Sequence, residues 1–310
     1  LAGLAVRASL VIRLRKTHMD KKIKTVGLFG KYQDQTVAEH ILRLEEFLLS
    51  RKLKILFDQA TAEHCPAARS PSRPRATIGS EIDLAVVVGG DGTLLNVARD
   101  LAPHHVPIIG VNLGHLGFLT DIQAEHMTTE IGKILDGDYQ TESRLLLYAE
   151  IMRKGRIVHT ASAFNDVIVS KGELARMIEF ETYLDGEFVH STRGDGIIVA
   201  TPTGSTAYAL SSGGPILHPT LDAIAIVPIC PHTLSNRPIV VSSDSIVEVL
   251  ITGVADQHAH ATFDGQSTYA LEDGDRVYVR RAENEVELLH PSDRSHFEVM
   301  RIKLHWGRKL

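Results

Sequence analysis

The chain has 310 residues, enough for two domains, and its 44% hydrophobic and 23% charged content is that of an ordinary globular protein. A net charge of −5, an aromatic content of 5% and no apolar run of membrane-spanning length argue against nucleic acid or a membrane as partner. Only Cys65 and Cys230 are present, which argues against a disulfide framework or a cysteine-based zinc site and fits a reducing, cytoplasmic setting.

Residues 1–18 carry Arg7, Arg13, Arg15 and Lys16, no acid, and begin with Leu. An organellar transit peptide is one reading. The preferred reading starts the protein at Met19 and treats residues 1–18 as an unstructured extension or translated upstream sequence. Thr25 to Phe29 then reads as a strand. Val37, Ile41, Leu44 and Leu48 recur at helical spacing. Leu53 to Phe57 is a second strand, and the proline-punctuated stretch from Thr61 to Ser80 is a surface loop. Ala85 to Val88 is apolar and β-branched, as a strand covered on both faces is, and a helix follows to about Leu101. Val106 to Val111 is the next strand. This alternation implies a parallel sheet in an α/β, Rossmann-like domain over residues 19–140. Ligands of such sheets bind beyond the carboxyl ends of strands, where Gly89–Gly92 and Asn112–Gly117 fall.

After Asp136-Gly137 the rhythm shortens. Strands are expected over 144–152 and 156–159, joined by a turn at Arg153-Lys154-Gly155, then over 164–170, 177–184 and 187–190. Asp185-Gly186 is a type I′ hairpin signal. Further strands are expected over 196–201, 224–229, 245–251, 276–279 and 286–289. The second domain, residues 141–290, is therefore β-rich, and residues 291–310 form a tail with a helix over 292–303. Cys230 follows an apolar run, which points to a buried thiol. His258 and His260 share a strand face but have no third ligand nearby, so they read as solvated.

Three segments concentrate chemistry. In Gly89-Gly90-Asp91-Gly92-Thr93 the glycines permit positive φ and close backbone approach, and Thr93 is a candidate helix cap. Amides beside a helix start favour phosphate. Asp91 repels an anion, so it makes sense against a hydroxyl or an Mg²⁺-bound phosphate; the plainer alternative is that it stabilises the helix start. Asn165-Asp166 sits in an apolar strand, where burial is costly without partners. It either aims at ribose or an adenine edge or ties down a loop at the strand end. Thr201-Pro202-Thr203-Gly204-Ser205-Thr206-Ala207-Tyr208 offers hydroxyls for a nucleoside, or for capping a strand–helix turn.

Together, and in this order, these segments resemble the NAD kinase family, which phosphorylates the adenosine 2′-hydroxyl of NAD to give NADP. Gly213–Ile216, Pro231–Pro238 and Asp264-Gly265-Gln266 are also similar to family segments, over roughly Lys24 to Pro291. One departure is Asp166, where many members carry Glu. The resemblance implies an α/β domain and a β-rich domain with the site in the cleft between them, a tail packing back on the first domain, and a homodimer or homotetramer. It makes Asp91 the catalytic residue. It implies NAD contacts from Asp91, Gly92, Asn165, Asp166, Arg176, Arg193, Asp195, Thr206, Ala207, Tyr208, Ala209, Leu210, Ser211 and Gln266. Gly89, Gly90, Gly92 and Thr93 would hold the donor phosphates of ATP, or of polyphosphate, with Mg²⁺ bridging them and no residue assigned as a direct metal ligand. No Gly-x4-Gly-Lys-Ser/Thr loop is present, so the donor is not held as in P-loop proteins.

Two rivals are a lipid or sugar kinase of the same superfamily and a dinucleotide sensor without catalysis. The adenosine-type pocket argues against the first, and Asp91 against the second. If residues 1–18 are an extension, deleting them leaves yield, melting temperature and activity unchanged; loss of soluble protein sinks that reading.

Overall fold

The computed structural model describes residues 22–30, 35–114, 116–172, 177–233, 235–252 and 259–306. The expectations for residues 1–18, Arg176 and His258 lie outside these.

Apolar strands and amphipathic helices alternate through the first half. They are β1 (Thr25–Gly30), α1 (Gln35–Ser50), β2 (Lys54–Asp58), α2 (Gln59–Glu63), β3 (Ser72–Arg73), α3 (Arg75–Ile78), β4 (Leu84–Val88), α4 (Asp91–Leu101), β5 (Ile108–Asn112), β6 (Ile122–Gln123) and α5 (Met127–Leu135). The strands run parallel in the order β3-β2-β1-β4-β5. Side chains alternate between two faces, as the period of a strand demands. Val26, Leu28 and Val86 pack with Ile41 and Leu44 of α1 and Ile131 of α5. Phe29, Ala85 and Val87 pack with Leu94, Ala98 and Leu101 of α4. Helices therefore cover both faces. The strand order reverses between β1 and β4, and the crevice at their carboxyl ends is the switch point where doubly wound sheets bind ligands. Gly30 and Gly89 lie there.

The second half contains β7 (Tyr139–Arg153), β8 (Arg156–Ala163), β9 (Asp166–Lys171), β10 (Ile178–Leu184), β11 (Glu187–Gly194), β12 (Gly196–Ala200), α6 (Tyr208–Ser211), β13 (Ala223–Ile229), β14 (Ile239–Ser242), β15 (Val247–Ile251), β16 (Ala259–Phe263), β17 (Ser267–Leu271), β18 (Arg276–Pro291) and α7 (His296–Lys303). A six-stranded antiparallel sheet, β14-β13-β12-β9-β16-β17, faces the antiparallel part of the larger sheet. Phe180, Phe263, Val167, Val199, Val249 and Val277 fill the space between them.

The sheets differ from the sequence expectation in instructive ways. The strands expected at 276–279 and 286–289 are one strand, β18, with a bulge between Arg281 and Glu285. β18 pairs with β7 throughout and with β5 at Leu288, so the larger sheet runs unbroken from the sandwich into the α/β layer. The expected boundary at 140/141 falls inside β7. The stretch 61–80 is not a bare loop. It carries α3 and β3, and Glu45, only 3% exposed, takes the amides of Arg69 and Ser70 at 3.0 and 2.7 Å. Strands β6, β14 and β17 were not expected, and β16 runs over Ala259–Phe263 where the sequence suggested only a strand face around His260. Cys230 is exposed rather than buried, because it leaves the end of β13 with φ +43 and turns away from the core.

The turn after β12 is fastened to the start of β9. Thr201 is fully buried; its N–H donates to Asn165 O at 2.9 Å and its hydroxyl to Phe164 O at 2.7 Å. Gly204 passes so close that a Cβ there would lie 2.0 Å from Asn165 O. Gly204→Ala must therefore displace backbone, at a cost of about 1–3 kcal/mol. Thermal unfolding of G204A should begin several degrees below wild type, and an unchanged melting temperature would refute this packing.

Candidate active site

Helix α4 begins in the switch-point crevice. Its N-cap is Gly90, with extended backbone, and Asp91 is its first residue; Thr93, expected as the cap, lies in the first turn. None of Gly89, Gly90 and Gly92 uses positive φ. Gly90 and Gly92 keep the crevice open instead, whereas a Cβ at Gly89 would lie 2.8 Å from Thr93 Oγ1. A Cβ at Gly90 would meet nothing within 4 Å, and one at Gly92 only Gln266 Nε2 at 4.0 Å. The Gly89 N–H donates to Val111 O at 2.8 Å within the sheet, so it is spent and does not serve a phosphate.

Asp91 is half-buried and grips the loop that follows β5. Its Oδ2 accepts the Phe118 amide at 2.8 Å. Its Oδ1 accepts the amides of Leu119 and Thr120 at 3.1 Å and the Thr120 hydroxyl at 3.0 Å. A carboxylate offers about two lone-pair sites per oxygen, so Oδ2 retains one. Gly117 makes the approach possible, since a Cβ there would lie 2.1 Å from Asp91 Oδ1. Asn112 holds the loop from below, donating to Thr120 O at 3.0 Å.

The Asn165-Asp166 pair sits at the entry to β9 rather than in its middle: Asn165 precedes the strand and Asp166 is its first residue. The organising group is Asp264, whose side chain is fully buried. It accepts the amides of Phe164, Asn165 and Asp166 at 2.9, 2.7 and 3.2 Å and pairs with Arg99 of α4 at 3.3 Å. Arg99 and the three amides favour its ionised form against the burial that pushes its pKa up. Gln266 donates to Gly92 O at 2.8 Å. Both residues lie at the β16–β17 turn, so this hairpin clamps α4 to β9 and brings Asn165-Asp166 beside the Gly89–Gly92 turn. Gln266 thus serves as an interdomain tie.

The hydroxyls of the turn after β12 divide into two kinds. Thr201 and Ser205 are structural: the Ser205 hydroxyl donates to Pro202 O at 2.6 Å and accepts the Leu217 amide at 2.9 Å. Thr206, Ala207, Leu210 and Ser211 remain partly or fully exposed, Tyr208 is 47% exposed, and Ala209 is buried. Phe118 and Thr206 line one small pocket with Arg144, Thr203 and His296, with room for about one water. Arg193 and Asp195 are not brought to this cluster within one chain. They precede β12, whereas Thr201 follows it, a separation of about 20 Å at ~3.3 Å per residue. Arg193 lies 3.6 Å from Glu179, and Asp195 pairs with Lys171 at 2.9 Å.

Sequence reasoning missed Phe118 to Thr120 and the buried ionic group behind them. Asp264 was marked by the resemblance of Asp264-Gly265-Gln266 to a family segment, but not as the group that organises the site; Asp264-Gly265 is the type I′ pair that closes the β16–β17 hairpin with φ of +52 and +65.

Asp166 is 3% exposed; burial, reinforced by the charge of Asp264, pushes its pKa from 3.8 up to about 7. Below pH 3.8 the group is protonated both folded and unfolded. Between 3.8 and 7 the folded state keeps a proton that the unfolded chain releases, so stability falls as pH rises through this window and is level above it. Asp166→Asn removes the penalty. Melting temperatures of D166N and wild type should converge near pH 4, with D166N higher by at least ~4 °C at pH 8, at ~2–4 °C per kcal/mol. A gap independent of pH would refute the shift.

The ATP-NAD kinase N-terminal domain family matches residues 26–139, and the ATP-NAD kinase C-terminal domain family matches residues 164–291. An NAD kinase of Thiobacillus denitrificans is 51% identical over 286 residues, covering 92% of this chain and 98% of that protein. An NAD kinase of Pseudomonas fluorescens is 45% identical over 287 residues, covering 93% and 97%. Among solved structures, an NAD kinase from Archaeoglobus fulgidus in complex with ATP superposes with a TM-score of 0.71 at 26% identity, covering 91% of this chain and 98% of that one. Yeast NADH kinase complexed with NADH superposes with a TM-score of 0.85 at 24% identity, covering 94% and 90%, and so shares the fold. With both domain families matched in order around this cleft, the chain belongs to the NAD kinase family.

Proposed function

We propose that this chain transfers the terminal phosphoryl group of ATP to the adenosine 2′-hydroxyl of NAD, giving NADP and ADP. The observation that carries the reading is the junction of three segments at one crevice. Asp91 keeps one lone pair on Oδ2, open glycine backbone adjoins it, and Asp264 with Arg99 ties Asn165-Asp166 alongside. Asn165, Asp166, Thr206, Tyr208 and Ser211 bind the adenosine, and Asp91 Oδ2 meets its 2′-hydroxyl. The O2′–P bond forms as the bond from that phosphorus to the ADP oxygen breaks, and the hydroxyl proton passes to Asp91. A carboxylate is far too weak a base to pre-ionise an alcohol, so Asp91 orients the hydroxyl and takes the proton late, as a loose transition state permits.

Donor phosphates lie over Gly90, Gly92 and the α4 N-terminus, where exposed amides and the helix dipole favour them. The open space at Gly90 fits a phosphate-bound Mg²⁺, and Asp91, with four donors already on it, leaves the ion to the phosphates. Such an ion supplies charge neutralisation on the donor. Arg193 and Asp195 serve a second copy in a homodimer or homotetramer. This is supported by their attachment to the 229–232 segment, part of the stretch that the family resemblance places near a subunit interface, with the Asp195 amide on Ile229 O at 3.0 Å and the His232 amide on Arg193 O at 2.8 Å. The enzyme works in the cytoplasm on small molecules; no helix among the described residues is long and apolar enough to cross a membrane.

A coupled assay with NAD⁺, ATP and Mg²⁺ should yield NADP⁺, detected by an NADP-specific dehydrogenase. Asp91→Asn should lower kcat by roughly 10²–10⁴-fold while NAD still binds in a direct titration. It should also lower the melting temperature, because an amide N–H₂ cannot accept the loop amides. Near-normal kcat in D91N removes Asp91 from the reaction.

A further inference from the structure

The loop that Asp91 grips is itself held from the far side by a buried guanidinium. Arg294 lies between β18 and α7, and its side chain is 8% exposed. Each of its three nitrogens has a different task. Nη2 donates to Phe118 O at 3.0 Å, Nε lies 2.5 Å from Asp121 Oδ2, and Nη1 donates to Glu142 Oε2 at 2.8 Å. Glu142 Oε2 also accepts Arg144 Nη2 at 2.9 Å, and Arg144 Nη1 donates to the Thr203 hydroxyl at 2.9 Å. His290 fills the remaining gap, 2.7 Å from Asp121 and 3.2 Å from Glu142. A continuous polar chain thus runs from Asp91 through Phe118, Arg294, Glu142 and Arg144 to Thr203, joining the two walls of the cleft.

Burial alone would raise the Glu142 pKa, but His290 and the two arginine charges hold it well below the usual carboxylate range. Glu142 is therefore ionised, with both guanidiniums on its Oε2. Buried ion pairs of this kind are poor stabilisers compared with apolar packing, and their best-attested use is to fix one arrangement. The arrangement fixed here is the Phe118 peptide. Its carbonyl points to Arg294 while its neighbouring amides point to Asp91.

We infer that Arg294 is a positioning residue for the phosphoryl transfer: it holds the 118–120 loop so that Asp91 Oδ2 faces the crevice. This rests on the kinase reading above. Lysine keeps the charge but cannot replace a planar fork that donates to Glu142 from one nitrogen and to Phe118 O from another. Arg294→Lys should lower kcat more than tenfold while KM for NAD and ATP changes less than threefold. The loss should vanish in the Asp91→Asn background, because a residue acting through Asp91 adds nothing once Asp91 is gone. Arg153→Lys is the control. It loosens a comparable Arg153–Asp275 pair remote from the crevice and should leave kcat unchanged.

Hydrogen exchange of the Phe118 to Thr120 amides gives an independent reading. Protection there should fall at least tenfold in R294K and not in R153K. Unchanged kcat in R294K, losses that multiply in the double variant, or unaltered protection at 118–120 each overturn the inference. A wild-type protein that makes no NADP overturns the kinase reading instead, and amide exchange still decides whether Arg294 positions the loop. Should R294K fail to fold, Arg294→Ala assayed with added guanidinium decides: rescue of kcat supports the inference, and folded protein without rescue refutes it.

Discussion

Both loops of the cleft depend on one device: a single carboxylate taking three consecutive backbone amides. Asp91 takes those of residues 118–120, and Asp264 those of residues 164–166. Irregular backbone has no ladder to satisfy its N–H groups, and each one buried without a partner costs about 1–3 kcal/mol. A carboxylate matches this need because it only accepts, offers about four sites, and forms charge-assisted bonds. The exchange is mutual. The carboxylates order the loops, and the amide dipoles make buried negative charge tolerable.

The sheet decides where these two devices meet. Reversal of strand order between β1 and β4 opens a crevice at Gly89 and puts Asp91 at the start of α4. The β16–β17 turn then reaches across with Asp264 and Gln266. Because β18 is shared between the sandwich and the parallel layer, the two walls do not ride on separate hinged bodies. Their relative position is set by a continuous strand and by the ties from Arg99 and Gln266, which suits a reaction that depends on alignment of donor and acceptor.

What was legible in the sequence was local. Periodicity placed β1, β2, β4, β5 and α1 to within a residue or two and found the end of α4 but not its start, capped at Gly90, three residues ahead of the expected Thr93 cap; Asp185-Gly186 marked its hairpin correctly. The motifs Gly89–Thr93, Asn165-Asp166 and Thr201–Tyr208 stood out by composition. Their joining did not, because it runs through contacts distant in the chain. Asp264 lies 100 residues from Phe164, and Arg294 lies 176 from Phe118. No local rule links such positions. A lone Arg294 in a polar tail reads as a solvated side chain, and Glu142 and Arg144 read as the polar edge of a strand. The glycines of the Gly89–Gly92 turn illustrate the same limit: the turn was recognised, but Gly90 and Gly92 serve open space and Gly89 close packing on Thr93 rather than unusual φ, a distinction only the neighbouring atoms supply.

The assembled site also answers an electrostatic difficulty plain in the sequence. The crevice proposed to hold phosphates contains Asp91, Asp166 and Asp264. A bare carboxylate 4 Å from a phosphate charge costs about 4 kcal/mol at an effective dielectric of ~20. None of the three is bare. Asp91 carries four hydrogen bonds, Asp264 three amides and Arg99, and burial keeps a proton on Asp166 up to about pH 7. The negative charge is offset within each loop, and the proposed donor position is faced by the amide end of α4 and open glycine backbone. Carboxylates remain available to hydroxyls, which they recognise by direction, while the field at the phosphate position stays favourable. One crevice can thus hold an alcohol acceptor and a polyanionic donor side by side, because the donors that quiet its acids are backbone groups fixed in the fold.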